Sequence, residues 1–589
     1  MITNVTPLKR PLDSDLRSRP NDAAFIRNFA IIAHIDHGKS TLADQLMEKT
    51  GLLPHLLGGG HGTPRIDSME LETERGVTIK LKAVRLPVQN FILNMIDTPG
   101  HADFSYEVSR SLAACEGALL LVDATQGVQA QTLSHLENAR ELGLTVIGAI
   151  NKVDSPLART AETEEELRAL GIKGEILRIS ALKGEGIEEV LEAIIKRVPA
   201  PQGNPAEPFR ALVFDSTFDP HLGTIVYVRV VDGEIKFANR PTAKFLGTKA
   251  SAQVKELGYF SPDRKPTSAL RTGEIGSIAT GIRDPREVRV GDTISLVTQS
   301  PSHPATPLPG YQPPQSYVFA SFFAKNSDFA EFRKALQTLR LEEPAIAAEE
   351  ISSIAFGRGF RIGFLGTFHL EIVKERLMRE FGLELVVTKP TVSFHGLEEE
   401  PWILLTILAP SEYLAGVARL VAERRGKLGN TETLGNRLKV SAELPLLEFV
   451  RGFYDALKSN SRGYASLSWE FLDYRPAHLT ELEILVHDAP IEGLAEIMLR
   501  EEAERIGREK LKKLKEILPR QQFAYSIQAR ASGKILARED VPAVRKDVLA
   551  KLSGGHVERK MKKLQEQKKG KAKLAKFGKV EMPPEAFLV

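Results

Sequence analysis

The sequence predicts a multidomain protein of mixed α/β and α+β class. Its 589 residues are too many for one hydrophobic core, so we expect several domains. The first third alternates apolar runs with helix-compatible segments, which is the pattern of a largely parallel α/β sheet. The second half shows the order strand, helix, strand, strand, helix, strand twice, which is typical of ferredoxin-like units.

Shifts in composition divide the chain into six parts. Two Pro-rich segments, VPAPQGNPAEP and SPSHPATPLPGYQPP, act as linkers, and the β-branched stretch between them predicts a β-barrel. The predicted parts are a disordered leader at 1–22, an α/β domain at 23–200, a β-barrel domain at 207–298, two ferredoxin-like domains at 315–392 and 400–478, and a C-terminal α+β domain with a basic tail at 479–589.

Local patterns predict individual elements inside these parts. Four apolar residues recur at helical spacing in the first ferredoxin-like unit and predict a helix over 328–343: Phe329, Phe332, Leu336 and Leu339. In the C-terminal domain, a long helix is predicted over about 491–518, where Pro519 ends it. A short hairpin that turns at Ser532 and Gly533 follows.

Composition limits the classes of protein to which this chain can belong. Hydrophobic residues make up 42% and charged residues 26%, which is ordinary for a soluble protein. Cys115 is the single cysteine, so a disulfide framework is excluded, and its small apolar neighbours predict a core position. No apolar run approaches the ~20 residues of a membrane-spanning helix, and residues 1–22 lack the apolar segment of a signal peptide. We therefore expect a cytoplasmic protein.

The stretch AIIAHIDHGKSTL, residues 30–42, is the strongest local signal. An apolar run ends in a loop that closes with Gly38, Lys39 and Ser40, and helix-compatible residues follow. In such a loop, backbone N–H groups and a helix N-terminus face a phosphate, while a Lys and a hydroxyl complete the site. Ala33 stands where the usual pattern has its first Gly, so the prediction depends also on the segments that follow.

Three further segments place polar groups where apolar strands end. They are ILNMIDTPGH (92–101), VIGAINKVD (146–154) and SALKG (180–184), and Thr78 lies in a polar stretch before the first of them. Each segment alone is compatible with an ordinary turn or surface loop. Ligands of open α/β sheets bind in the crevice beyond the carboxyl ends of the strands, so the ordered set predicts one nucleotide crevice in a P-loop domain.

The phosphate end of this crevice can be assigned residue by residue. Lys39 would reach the β- and γ-phosphates, and the Ser40 hydroxyl would ligate Mg²⁺. Asp97 would hold the metal through a water. Thr78 would complete the metal shell only while the γ-phosphate is present, so its loop would be a switch. The N–H of Gly100 would sense the γ-phosphate.

The base end of the crevice predicts GTP. The carboxylate of Asp154 can accept hydrogen bonds from the N1–H and the 2-amino group of guanine, and adenine lacks those donors. Asn151 and Lys152 would flank the ring, and the backbone of Ser180 and Ala181 would meet the guanine O6. The predicted GTP-binding residues are Asp36, His37, Gly38, Lys39, Ser40, Thr41, Asn151, Lys152, Val153, Asp154, Ser180 and Ala181.

The motifs AHIDHGKST, RGVTI, DTPGH and NKVD resemble those of the translational GTPases. Within that superfamily, SRGYASL (461–467), LPRQQF (518–523) and VEMPPEAF (580–587) are similar to the LepA family, also called elongation factor 4. The resemblance covers residues 24–589. It departs from the LepA pattern after Thr391, where only VSFHGLEEE precedes the next strand.

The resemblance implies a ribosome-dependent GTPase that hydrolyses GTP to GDP and phosphate during elongation. It implies a role in back-translocation of tRNAs and in fidelity under stress, with the ribosome, ribosomal RNA and tRNA-containing complexes as partners and no DNA partner. It also implies a monomer, and a peripheral association with the cytoplasmic face of the membrane. The implied catalytic residues are Lys39, Thr78, Gly100 and His101, with His101 positioning the attacking water behind a gate of Ile35 and Val77.

The end of the chain is strongly basic. Residues 545–579 contain 13 Lys or Arg and 3 Asp or Glu, a net +10 in a chain whose total is +3. This imbalance predicts a C-terminal RNA-binding domain, and a solvated tail is the alternative. The densest cluster is formed by Lys560, Lys562, Lys563, Lys568 and Lys569.

Two further readings of the whole chain stay open from the sequence. A GTP-regulated binding protein without turnover is one, although the full set of hydrolytic residues argues against it. A different translational GTPase, such as the translocase or a stress GTPase, is the other, and the SRGYASL and LPRQQF segments disfavour it. Measuring GTP turnover with and without ribosomes separates the first of these from a GTPase.

Overall fold

The computed structural model describes residues 23–53, 69–284, 287–297, 305–309, 315–325, 328–343, 345–353, 356–544, 557–575, 578, 580 and 582–588. The predicted leader at 1–22 lies outside this part of the chain, and so do residues 545–556 of the basic segment.

The first domain is a six-stranded sheet with helices on both faces. Its strands are β1 (Ile26–Ala33), β2 (Lys82–Val88), β3 (Phe91–Asp97), β4 (Gly117–Asp123), β5 (Thr145–Asn151) and β6 (Leu177–Arg178). Its helices are α1 (Lys39–Lys49), α2 (Glu70–Arg75), α3 (Ser105–Ala113), α4 (Ala130–Glu141), α5 (Thr160–Ala169) and α6 (Ile187–Arg197). The strand order is β2-β3-β1-β4-β5-β6, and only β2 runs antiparallel to its neighbour.

Burial on both faces explains why the central strands read as continuous apolar runs. Alternate residues of β1 enter two different cores: Phe29 and Ile31 pack on one face of the sheet, and Ala30 and Ile32 pack on the other. Cys115 lies in the second of these cores, as predicted, and burial raises the pKa of its thiol. Because β1, β3, β4, β5 and β6 run parallel, their carboxyl ends lie together at one edge of the sheet.

A β-rich domain follows. Its strands are β7 (Arg210–Asp219), β8 (Gly223–Asp232), β9 (Glu234–Lys236), β10 (Thr242–Phe245), β11 (Ser251–Gln253), β12 (Glu256–Ser261), β13 (Asp263–Thr267), β14 (Ala269–Arg271), β15 (Ile275–Ala279) and β16 (Thr293–Leu296). Eight of them form one antiparallel sheet in the order β11-β10-β16-β7-β8-β15-β12-β13, and β9 pairs with β14. Residues from strands across this sheet share a single core, which is the packing expected of a barrel.

Two units of the same topology come next. The first contains β17 (Val318–Ala324), α7 (Phe329–Glu342), β18 (Ala347–Ser353), β19 (Gly357–Phe364), α8 (Thr367–Arg379), β20 (Leu385–Val387) and the short β21 (Thr391–Val392). The second contains β22 (Glu399–Pro410), α9 (Leu414–Glu423), β23 (Lys427–Leu434), β24 (Arg437–Pro445), α10 (Tyr454–Asn460) and β25 (Ser466–Pro476). Their sheet orders, β18-β19-β17-β20 and β23-β24-β22-β25, are equivalent and confirm the two predicted ferredoxin-like units.

The C-terminal unit corrects one prediction. It contains β26 (Leu479–Val486), β27 (Ala489–Pro490), β28 (Glu496–Leu499), α11 (Ala503–Ile517), β29 (Tyr525–Ala531), β30 (Lys534–Val541) and α12 (Val557–Ala575). The helix predicted from about residue 491 begins only at Ala503, because β28 pairs with β26 and buries Met498 in the core. The hairpin at Ser532 and Gly533 is confirmed. Within the described part of the chain, every helix is too short or too polar to cross a bilayer.

Candidate nucleotide site

A cavity of about 320 Å³ lies at the carboxyl edge of the parallel strands. It opens where the loop after β1 meets the Thr78 segment and the turn after β3. Its lining consists of Ile35, Asp36, Gly38, Lys39, Ser40, Thr41, Glu72, Thr73, Gly76, Val77, Thr78, Gly100 and Lys152. The structure thus brings most of the predicted phosphate-binding residues together in one crevice.

The phosphate loop is fixed by its glycine and by Asn151. Gly38 has φ +91°, and a Cβ there would lie under 3.0 Å from Asn151 Nδ2. That nitrogen donates to the His37 carbonyl at 2.9 Å, and Asn151 Oδ1 accepts from the Ala181 N–H at 2.9 Å. One side chain therefore joins the phosphate loop to the SALKG segment.

The His37 side chain packs between the phosphate loop and β4. The residue is fully buried, and its Nδ1 accepts from the Asp123 N–H at 3.3 Å. Burial lowers the pKa of His37 to about 4, with Asp123 opposing that shift, so the ring is neutral at pH 7. A nucleotide contact by His37 would therefore come from its backbone, because the ring packs against β4.

The three predicted metal ligands form one hydrogen-bonded group. Ser40 Oγ lies 3.1 Å from Thr78 Oγ1, and Thr78 Oγ1 donates to Asp97 Oδ2 at 3.4 Å. Hydroxyl and carboxylate oxygens are the donors that Mg²⁺ prefers, so these residues fit that ion. No group of three or more His, Cys, Asp or Glu that could hold a metal occurs among the described residues. A cation here would therefore depend on the hydroxyls and on the oxygens of a bound phosphate.

Gly100 lies where the turn after β3 approaches the phosphate loop. A Cβ at this position would be 2.6 Å from Lys39 Nζ and 3.2 Å from the Ala33 carbonyl oxygen. Only glycine leaves room for this approach, so the DTPG turn can bring its backbone N–H toward a bound phosphate.

His101 lies outward from that turn, against a different domain. Its ring stacks on Phe368 at the start of α8, with ring centroids 4.4 Å apart and planes 25° apart. Its Nδ1 accepts from the Asp103 N–H at 3.1 Å. The structure therefore places His101 beside the turn, with its ring packed on the first ferredoxin-like unit.

The base end of the site is built from the ends of β4, β5 and β6. Lys152 Nζ donates to the Asp36 carbonyl at 2.7 Å and pairs with Asp123 at 2.8 Å. The Val153 N–H donates to the Ile179 carbonyl at 3.3 Å. Asp154 Oδ2 lies 3.8 Å from Lys183 Nζ, and the Ser180 Oγ accepts from the Lys183 N–H at 3.2 Å. The predicted base-binding residues are thus neighbours, held by hydrogen bonds to the main chain and by side-chain ion pairs.

Comparisons with known proteins agree with this arrangement. The model of the elongation factor Tu GTP binding domain matches residues 24–200, that of the elongation factor G C-terminus matches 398–485, and that of the GTP-binding protein LepA C-terminus matches 486–589. The chain is 45% identical to elongation factor 4 of Dehalococcoides mccartyi, over 96% of this chain and 98% of that protein. The chain belongs to the elongation factor 4 family.

Further relatives support the same assignment. Elongation factor 4 of Thermobifida fusca is 44% identical, over 96% of each chain. A crystal structure of a protein from Thermus thermophilus matches with a TM-score of 0.57 over 77% of this chain and 97% of that chain, at 18% identity, which supports the fold alone. This member of the elongation factor 4 family is therefore a GTP hydrolase of the translation-factor class.

Two buried carboxylates, Asp123 and Glu72, complete the site, and neither belongs to the predicted set of site residues. Asp123 ends β4 and pairs with Lys152, and hydrogen bonds from Lys152 and Thr125 outweigh burial and lower its pKa. The strand-end rule that found Asp97 applies equally to GALLLVD and identifies Asp123. Glu72 accepts hydrogen bonds from the Ile79 and Lys80 N–H groups at 3.0 and 3.1 Å, and so holds the Thr78 segment. No local pattern marks Glu72.

The predicted RNA-binding residues lie apart from this crevice, on α12. Lys562, Lys563, Lys568 and Lys569 are exposed there, and Lys560 is half-buried. Within the described residues, the sequence of α12 retains the strong excess of Lys over Glu that the whole basic segment has.

Proposed function

We propose that this chain is a ribosome-dependent GTPase that hydrolyses GTP to GDP and phosphate during elongation. The hydrogen-bonded group of Ser40, Thr78 and Asp97, beside Lys39 and Gly100 at the strand ends, is the observation that supports this proposal most directly. It unites a phosphate-binding loop, a cation site and a γ-phosphate sensor in one crevice. Such a combination suits phosphoryl transfer, in which positioning and electrostatics supply most of the catalysis.

The phosphates would be held by the loop after β1. The N-terminus of α1 and the backbone of residues 36–41 would face the phosphate oxygens, and Lys39 would neutralise charge on the β- and γ-phosphates. Ser40 and Thr78 would ligate Mg²⁺ directly and Asp97 would do so through a water; the ion would neutralise charge that develops on the phosphates. Thr78, already hydrogen-bonded to Ser40 and Asp97, would complete the metal shell only while the γ-phosphate is present, so its segment would respond to hydrolysis.

Guanine would be selected by Asp154. Its carboxylate would accept from the N1–H and the 2-amino group, with Asn151, Lys152 and Val153 beside the ring and the Ser180 and Ala181 backbone at O6. The side chain of Lys152 is already fixed by Asp123 and the Asp36 carbonyl, which supports a preformed base pocket.

Hydrolysis would depend on His101. Gly100 would donate its N–H to the γ-phosphate, and His101 would orient the attacking water after passing the apolar pair Ile35 and Val77, which both line the cavity. In the structure the His101 ring is stacked on Phe368, so a movement of the ring is needed before it can act. Binding to the ribosome would order the site so that the moved His101 ring contacts the attacking water.

The test is GTP turnover with and without ribosomes. We expect ribosomes to stimulate wild-type turnover strongly, and His101→Ala to keep GTP affinity while losing about a hundredfold of the stimulated rate, the lower range for a positioned proton-transfer group. Absence of stimulation in the wild type would favour a GTP-regulated binding protein. Stimulated turnover of His101→Ala at the wild-type rate would remove the role assigned to His101.

The basic helix α12 would bind ribosomal RNA. Contacts between Lys and phosphate release counterions, so each lost contact should flatten the log–log salt dependence of ribosome binding by roughly 0.7 to 0.9. Lys568→Gln with Lys569→Gln removes two exposed charges from α12. Lys512→Gln with Lys513→Gln removes two exposed charges from α11 and is the matched control. Equal salt slopes for both variants and the wild type would favour the solvated tail.

The finer role follows the family resemblance. The factor would act on back-translocation of tRNAs and on fidelity under stress. It would act as a monomer. Any membrane association would be peripheral, at the cytoplasmic face, and electrostatic or mediated by a partner. Toeprinting tests the direction of this step. It would follow the position of tRNA-bound ribosomes on a messenger after wild-type protein and GTP are added.

A further inference from the structure

The first ferredoxin-like unit contacts both segments that the proposed function assigns to γ-phosphate sensing. One apolar cluster joins Leu71 and Ile79, which flank the Thr78 segment, to Phe104 after the DTPG turn and to Ile372 on α8. Val77 and Phe368 pack against the same cluster. The residues that would sense the γ-phosphate therefore share a small core with another domain.

Asp103 fastens the DTPG turn to the start of α8. Its Oδ2 accepts from the N–H groups of Phe368 and His369 at 2.8 and 3.3 Å. These two N–H groups belong to the first turn of α8, where the helix itself supplies no acceptor. Gly366 makes this possible, since a Cβ there would lie under 3.0 Å from the Asp103 carboxylate. The Asp103 N–H in turn donates to His101 Nδ1.

A charged network attaches the Thr78 segment to the same unit. Lys80 Nζ lies 3.0 Å from Glu342, and Glu342 lies 2.7 Å from Arg376 on α8. Arg376 also pairs with Glu343 at 2.8 Å, and both of those side chains are 4% exposed. These ion pairs join the end of α7 to α8 and, through Lys80, join both helices to the Thr78 segment.

We propose that Phe368 is a positioning residue that holds the His101 ring away from the nucleotide until the ribosome releases it. This inference rests on the hydrolytic role proposed for His101. Gly100 lines the cavity, while the adjoining His101 ring lies flat on Phe368 and its Nδ1 is occupied by Asp103. The ring must leave that stack to reach a water beside the γ-phosphate, so the stack limits turnover when no ribosome is bound.

The proposal predicts a specific change when the aromatic ring is removed. Phe368→Leu keeps an apolar side chain in the cluster but removes the stacking surface. Aromatic stacking stabilises the position of the His101 ring away from the nucleotide. Its loss should therefore raise intrinsic GTP turnover about two- to tenfold. KM for GTP should stay the same, because Phe368 does not line the cavity. The ribosome-stimulated rate should change little, so the ratio of stimulated to intrinsic turnover should fall.

Three companion variants separate positioning from structural damage. Phe368→Tyr keeps a ring that can stack and should restore wild-type intrinsic turnover. Phe329→Leu changes a half-buried phenylalanine of α7 in the same unit, whose ring stacks on Phe360 of β19, and should leave turnover unchanged. Combining Phe368→Leu with His101→Ala should abolish the increase, because the increase requires the released imidazole.

Imidazole NMR provides a direct measurement. In the GDP-bound wild type, the His101 ring protons should show an upfield ring-current shift, and Phe368→Leu should remove it. Intrinsic turnover of Phe368→Leu that equals or falls below that of Phe329→Leu would overturn the proposal. So would an increase that persists without His101, or a His101 resonance that Phe368→Leu does not move. Failure of the proposed function appears elsewhere, as wild-type protein that ribosomes do not stimulate.

Discussion

The two ends of the nucleotide site are held in different ways. At the base end, Asn151, Lys152 and Val153 are fixed by contacts within the GTPase domain, to His37, Asp36, Asp123 and Ile179. At the phosphate end, the Thr78 segment and the turn carrying His101 are held partly by the first ferredoxin-like unit, through Phe368 and Glu342. These contacts of the base end lie within one domain, whereas the phosphate end depends also on a second domain.

This difference separates recognition from hydrolysis. A base pocket inside one domain keeps its shape when the domains move, so guanine binding should not depend on the ribosome. Sensing segments shared with another domain change when that domain is displaced, so hydrolysis can respond to a partner. The two ferredoxin-like units also differ: the second contributes Leu408 to a core of the GTPase domain, whereas the first contacts the sensing segments through Phe368 and Glu342. The following predictions test how far the two ends are independent.

The largest effect is expected where the two ends meet, at Gly38. Gly38→Ala would force a Cβ into a left-handed backbone and against Asn151 Nδ2, so the loop must shift and the hydrogen bond to His37 must break. We expect GTP affinity to fall by about thirtyfold or more, from ~1–2 kcal/mol of backbone strain added to ~1–3 kcal/mol for a lost buried hydrogen bond. Titration with fluorescent GTP and GDP measures it.

Gly143→Ala isolates the contribution of backbone strain. Gly143 also has positive φ, at +71°, but a Cβ there would meet nothing within 4 Å. This variant should lose stability and keep its GTP affinity. Equal nucleotide affinities for Gly38→Ala and the wild type would show that the ends are not joined at Asn151.

A smaller effect is expected at the base end alone. Asp154→Asn should weaken GTP binding by about 1–3 kcal/mol, the cost of leaving a buried polar group without its partner, and should favour xanthosine triphosphate. The ratio of GTP affinities with and without ribosomes should match that of the wild type, because the pocket lies within one domain. Competition binding with both nucleotides measures the change, and unaltered preference for GTP would remove Asp154 from base selection.

The sequence was sufficient for the parts of the site that follow strand periodicity. Asp97, Asn151 and Ser180 lie where apolar strands end, so an apolar run followed by a polar residue locates them. The ferredoxin-like topology was also predictable, since each unit repeats one order of elements. The start of α11 was not, because β28 is only four residues long and forms by pairing with β26.

Contacts between domains have no such local signal. Phe368 reads as an ordinary apolar residue of an amphipathic helix, and nothing near it in the sequence points to His101. Glu72 reads as a surface residue of a charged segment, yet it is fully buried because four hydrogen bonds converge on its carboxylate. Such roles depend on tertiary packing, which overrides the local pattern.

Buried histidine near the phosphate end should make stability depend on pH. His135 on α4 is buried, and burial together with Lys39 lowers its pKa from 6.5 to about 3. The unfolded chain therefore binds more protons below about pH 6.5, and stability falls as the pH falls. At pH 5 the cost is about 2 kcal/mol, from 1.36 kcal/mol per pKa unit.

Replacing that histidine tests the assignment. His135→Leu should lose about 2 kcal/mol less than the wild type between pH 7 and pH 5. His221→Leu, at an exposed loop of the β-rich domain, is the control and should behave as the wild type does. Urea unfolding at both pH values measures these differences. The same loss in all three proteins would assign the acid sensitivity to other groups.

The smallest effect is expected at the ion pair between Lys80 and Glu342, which bridges the two domains at 3.0 Å. Burial opposes ionisation of Glu342, but Lys80 and Arg376 outweigh it and lower the pKa of Glu342. A double-mutant cycle with Lys80→Met and Glu342→Gln should give a coupling of less than about 1 kcal/mol, since both side chains are partly exposed. The lowered pKa means that this coupling is present above about pH 4.5 and is lost as Glu342 protonates below it.

The response of this coupling to nucleotide decides whether the contact between the domains takes part in sensing. The pair Arg178 and Glu164 lies wholly within the GTPase domain, at 2.8 Å, and supplies the comparison. If the Thr78 segment responds to the γ-phosphate as proposed, coupling at Lys80 should differ between GDP and a non-hydrolysable GTP analogue, and coupling at Arg178 should not. Equal responses of the two pairs to nucleotide would mean that the contact between the domains is not part of the sensing segment.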